Sequence, residues 1–169
     1  MKMTDMFLSE LDREAKRSRR ALEMVPGNQR SWKPHEKSME FGHLTDMVAT
    51  IPTWVTMIIN QDELDVAPKN GKRPERPQPN TSAEFIAALD KSLEEAEAAL
   101  KGTTEKHLQT NWKLLSGGKV VSDTTRHEML RDTINHSAHH RGQMTVYLRL
   151  MGARVPALYG PSADDSRFD

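Results

Sequence analysis

The stretch from about Ser122 to Met151 limits the fold of this chain more than any other. It reads as one long helix ended by Gly152, with two histidines on its apolar stripe. With His136 as the origin and a turn of about 100° per residue, Met129, His140, Tyr147 and Met151 fall within about 60° of it, and Met144 a little farther round. His136 and His140 are therefore stacked one turn apart on one face. Burying two imidazoles among methionine and leucine is costly unless their nitrogens find partners. A metal ion would supply a partner for each.

Three further helices are expected upstream. The first runs from about Thr4, read as its N-cap, to Met24, with Leu8, Leu11, Ala15, Ser18, Leu22 and Val25 at alternating three and four spacing. Small residues at Ala15 and Ser18 predict space beside its middle. The second covers about Glu36 to Asn60, with His43, Met47, Ile51, Trp54 and Ile58 on one stripe; Pro52 should bend it. The third opens with Thr81 and Glu84 in a capping box and buries Phe85, Leu89, Leu93, Ala96 and Leu100.

The connections differ in kind. From about Asp62 to Asn80 the chain turns to Asp, Lys, Gly and Pro, including Pro74, Pro77 and Pro79, which predicts a long crossover. Such a connection lets helices two and three be parallel or distant, where a short loop would force them antiparallel. Between Leu108 and Ser122, Ser116-Gly117-Gly118-Lys119 sits between apolar runs, so a small β-hairpin is expected, with an irregular loop pinned by Trp112 as the alternative.

Composition removes whole classes of function. At 169 residues the chain fits a single domain spanning 1–169. Lys plus Arg and Asp plus Glu number 24 each, so neither nucleic acid nor an anionic membrane is favoured as a partner. A small-molecule or protein partner is expected. The absence of cysteine excludes disulfides, thiolate zinc sites and an enzymic thiol nucleophile. No signal-like or membrane-spanning run is evident, so the expectation is a cytoplasmic, soluble protein.

The histidines decide the candidate site. His136 and His140 have metal-ligand spacing, and His43 on helix two would complete a three-imidazole set with an open position. A core histidine on its own is more often a hydrogen-bonded packing residue, and His35, His107 and His127 read as surface residues. Gln143 and Asp132, within about 40° of His136, are candidates for orienting a ligand ring, with packing and solvation as their ordinary roles. Gly142 is read as permitting close helix approach, and Arg141 as pointing away toward a carboxylate at a surface or dimer interface. A ferritin-like di-iron site is excluded, because Glu40-Phe41-Gly42-His43 is the lone Glu-x-x-His. Ser137 and Ala138 follow His136, so a zincin His-Glu-x-x-His is excluded too.

His136-Ser-Ala-His-His140-Arg-Gly-Gln143, then Tyr147, Leu150, Gly152 and Val155-Pro156, with Gly42-His43-Leu44 upstream and Leu158-Tyr159-Gly160-Pro161 at the end, resembles the DinB-like superfamily of metal-dependent hydrolases and thiol transferases. The resemblance covers nearly the whole chain. It implies an all-α four-helix bundle of up-down-down-up topology, often paired as a homodimer through helix faces. It also implies a divalent metal, zinc or nickel, held by His43, His136 and His140. Some relatives use low-molecular-weight thiols as co-substrates.

Three neutral histidines leave the ion its full charge, so a metal-bound water or a substrate thiol would be acidified toward neutrality. No catalytic side chain is identified in the sequence. Two readings follow: an enzyme activating a thiol or water for transfer or hydrolysis on a small substrate, or a non-catalytic metal-bound helical module for binding or dimerisation.

Overall fold

The computed structural model describes residues 2–69, 71 and 78–168. In chain order these form α1 (Met3–Glu23), α2 (Phe41–Thr50), α3 (Pro52–Asn60), β1 (Glu63–Asp65), α4 (Ser82–Gly102), α5 (Glu105–Leu108), β2 (Asn111–Ser116), β3 (Lys119–Thr125) and α6 (Arg126–Leu150). The all-α four-helix bundle expected from the sequence is corrected by this inventory. Among the described residues there are six helices and a three-stranded mixed sheet.

Each departure has a local cause. Pro52 lacks an N–H and divides the second helical segment into α2 and α3 at Ile51. That break frees carbonyls which side chains then satisfy: the Ser92 hydroxyl of α4 donates to Ala49 O at 2.9 Å, and Thr53 to Thr50 O at 2.7 Å. The segment before α2 is irregular, so the helix begins at Phe41 and not near Glu36. Thr103 and Thr104, both extended, end α4 and start the single turn of α5.

The sheet uses residues assigned above to a crossover. β2 and β3 form an antiparallel hairpin with Gly117 and Gly118 at φ +61° and +79°, values that suit the tight turn joining them. β1 adds in parallel, Glu63 opposite Lys113. The Asp65 carboxylate accepts from the N–H groups of Gly117 and Gly118, fixing β1 to the turn. Trp112 is fully buried and holds the hairpin against the helices. Of the crossover prolines, Pro74 and Pro77 lie outside the described residues.

Cross-links set the helix directions. Ser92 meets Ala49, whereas Arg19 of α1 pairs with Asp90 and Arg126 of α6 donates to Ile58 O. The α2/α3 pair therefore runs alongside α4 in the same direction, antiparallel to α1 and α6. α4 opens with the capping box read from the sequence, Thr81 N–H donating to Glu84 at 2.9 Å. α1 has no cap from its own segment: Lys2 occupies the N-cap position and the Glu105 carboxylate accepts from the N–H groups of Met3 and Thr4 at 3.0 and 3.1 Å.

The core divides into two apolar clusters. One gathers Leu22, Phe41, Leu44, Phe85 and Leu148, the other Phe7, Val55, Ile58, Trp112 and Leu130. No helix among the described residues is long and apolar enough to cross a membrane.

Candidate metal centre

α6 is the platform of the site, but its buried face is turned away from the one expected. Its buried residues are Arg126, Met129, Leu130, Thr133, Ser137, His140, Arg141, Met144 and Leu148. That face is centred about 90° round from His136, toward Ser137. Besides His140, four polar residues lie on it, so a phase taken from apolar side chains and histidines is misplaced. The consequence is that the histidine pair sits at a seam on the edge of the core, with His140 buried and His136 half-buried.

There the two rings meet. His136 Nε2 and His140 Nε2 are 2.7 Å apart, with ring centroids separated by 4.4 Å. On its other side His140 Nδ1 lies 2.9 Å from Gln143 Oε1, an atom that can only accept. Nδ1 therefore carries the proton, and the Nε2 lone pair of neutral His140 accepts from His136 Nε2–H. Gln143 thus makes a hydrogen bond to the His140 ring. Burial lowers the pKa of both imidazoles, with neighbouring histidines adding to it, so both are neutral at pH 7.

The chemistry of this donor set fits a divalent transition ion. Two imidazole nitrogens meet there, and one ring is oriented by a second hydrogen bond, the arrangement that fixes ligating histidines. An ion bound there would be held by His136 and His140 and would supply Lewis acidity.

His43 makes no hydrogen bond or ring contact with the pair among the described residues. It is exposed on α2, the helix beside α6, close enough for its charge to be felt at His140. The apolar face of α2 is formed instead by Phe41, Leu44, Val48 and Ala49. Among the described residues no three His, Asp or Glu side chains are gathered closely enough to enclose an ion. Asp132 is exposed and makes no hydrogen bond to either ring among those residues.

Other sequence assignments change. Arg141 is fully buried and donates to the Glu14 carboxylate, Glu14 O, Ser18 Oγ and the Tyr159 hydroxyl. Its carboxylate is thus an interior one on α1, and Ser18 helps make the room. An added Cβ at Gly142 would meet nothing within 4 Å, so that glycine mediates no close approach. His107 and His127 are half-buried and bonded to the carbonyls of Ile59 and Leu108; His35 is exposed.

Two cavities flank α3. The space predicted beside Ala15 and Ser18 exists but measures about 20 Å³, room for one water, with Leu11, Val55, Leu89 and Leu93 in its wall. That is too small for a substrate. A cleft of about 670 Å³ lies where α3 faces α4, lined by Ile59, Ala98, Ala99 and His107, and none of the candidate ligands lines it.

The chain resembles several solved structures in overall fold. A DinB-like protein from Bacillus cereus ATCC 10987 superposes with a TM-score of 0.69 at 22% identity, covering 90% of this chain and 95% of that one. The DinB-like protein YjoA from Bacillus subtilis gives 0.65 at 20% identity over 87% and 92%. A protein described as a member of the DinB family from Exiguobacterium sibiricum 255-15 gives 0.62 at 13% over 90% and 93%. In sequence, 37 residues are 49% identical to the uncharacterized protein YrdA of Bacillus subtilis strain 168, a match spanning 22% of each chain. The DinB family model matches residues 1–167, virtually the whole of the helix-and-hairpin structure just described, and the chain therefore belongs to the DinB family.

Proposed function

We propose that the protein binds one divalent transition-metal ion, zinc or nickel, through Nε2 of His136 and His140, with His43 as the third nitrogen ligand and Gln143 holding His140 in the ligating tautomer. The observation that carries this reading is the 2.7 Å approach of two neutral ring nitrogens at a solvent-reaching seam. A bound ion there supplies Lewis acidity that acidifies a thiol or water at its open position. On this reading the protein is a metal-dependent enzyme acting on a small substrate by thiol transfer or hydrolysis, with a low-molecular-weight thiol as the co-substrate class. Its substrate approaches from the half-buried His136 side, because the interior cavity holds no more than one water.

A second reading draws on a separate observation. Val146 and Leu150, one turn apart on α6, are 56% and 60% exposed, an apolar strip suited to pairing two copies of the chain. This favours a metal-bound dimerisation module. Elemental analysis of protein purified without a histidine tag tests the metal. The parent should carry close to one ion per chain, and His136→Ala and His140→Ala almost none. An equal metal content in the parent and both variants would remove the reading. His43→Ala separately tests the third ligand, and turnover of an electrophile by the loaded parent separates enzyme from module.

A further inference from the structure

The three tryptophans have different surroundings. Trp112 is fully buried, and Trp32 sits edge-on against Tyr147 at 5.6 Å between centroids. Trp54, on α3, stands perpendicular to the ring of His136, with centroids 6.4 Å apart and planes at 89°. It is half-buried, packing partly on the cluster of Phe7, Val55 and Ile58, and among the described residues its indole N–H has no hydrogen-bond partner. Trp54 thus flanks the histidine pair with part of its surface open to solvent. Aromatic faces of this kind attract flat or apolar groups and prefer edge-on or offset contact.

We infer that Trp54 is the substrate-contacting wall of the histidine centre and selects substrates carrying an aryl or similar apolar group next to the reacting atom. This rests on the reading of the pair as a metal centre, so the test has two arms. In the first, cobalt-loaded protein is titrated with benzyl mercaptan and with 2-mercaptoethanol, following the thiolate-to-cobalt absorption band. The parent should bind the aryl thiol about tenfold more tightly. In Trp54→Ala that preference should vanish at unchanged cobalt stoichiometry, and Trp54→Phe should keep part of it.

The second arm needs no metal. The Trp54 indole N–H resonance, assigned by its absence in Trp54→Phe, should move on addition of benzyl alcohol and not of ethanol. Failure to load cobalt removes the metal reading and leaves the inference to the second arm alone. A parent without aryl preference, a preference that survives Trp54→Ala, or an indole resonance unmoved by benzyl alcohol each overturns the inference. A tryptophan that merely packs would lower stability on truncation without changing the order of the two thiols.

Discussion

Arg141, the residue after His140, places its guanidinium on the Glu14 carboxylate of α1 with no exposure to solvent. The Tyr159 hydroxyl donates to the same carboxylate at 2.7 Å, and Arg17 lies over the Tyr159 ring at 4.1 Å. One interior ion pair thus joins the first helix, the last helix and the C-terminal segment.

Removing one partner of that pair should be far worse than removing both. Arg141→Met leaves the buried Glu14 carboxylate with Arg17 and the Tyr159 hydroxyl alone, and a loss of up to about 3–5 kcal/mol in urea unfolding is expected. Combining it with Glu14→Leu should recover much of the loss. Additive losses in the double variant would show that the pair is not energetically coupled.

Glu14 also makes stability depend on pH. Burial pushes its carboxyl up, but the Tyr159 hydroxyl, Arg141 and Arg17 together outweigh it and hold the group below its ordinary value of 4.5. In acid the unfolded chain binds that proton first. The stabilisation is complete above the unfolded value and is lost as pH falls through the lower, folded one. Urea midpoints from pH 7 down to about pH 3 should therefore fall less steeply in Glu14→Gln than in the parent.

Gly42 is required by a close approach. A Cβ there would come within 2.8 Å of Arg30 Cβ and 3.0 Å of its Cα, while Gly42 N–H donates to Arg30 O at 2.8 Å. Arg30 is itself held by Asp46 at 2.6 Å, so the neighbour has little freedom to yield. Gly42→Ala should cost about 1–3 kcal/mol in thermal or urea unfolding. Because His43 is the next residue, the same variant should bind metal more weakly than the parent in a competition titration.

Gln143 is exposed, so its loss should spare the fold. Gln143→Leu removes the acceptor that keeps the proton on His140 Nδ1, and metal affinity is expected to fall about 10–100-fold. Chelator competition measures this directly. Unchanged affinity would mean that the tautomer is set by something else.

What could be read from the sequence was local. Thr81 and Glu84 lie within one turn, so their cap follows from spacing alone, and so does the meeting of His136 with His140. The Glu14–Arg141 pair joins residues 127 apart, and no periodicity reveals it. The same long-range pair hid the phase of α6, because a burial pattern that includes Arg126, Thr133, Ser137 and Arg141 cannot be recovered from apolar residues. β1, three residues long, is a strand only because β2 lies beside it.

The carboxylate of Glu105 that closes the first turn of α1 comes from a point 102 residues further along than Met3. At about 5–20 residues per second, a ribosome delivers it roughly 5–20 s after the turn it secures. Throughout that interval the opening amides of the first helix are bonded to water, so their protection from hydrogen exchange would record when the nascent chain has closed upon itself.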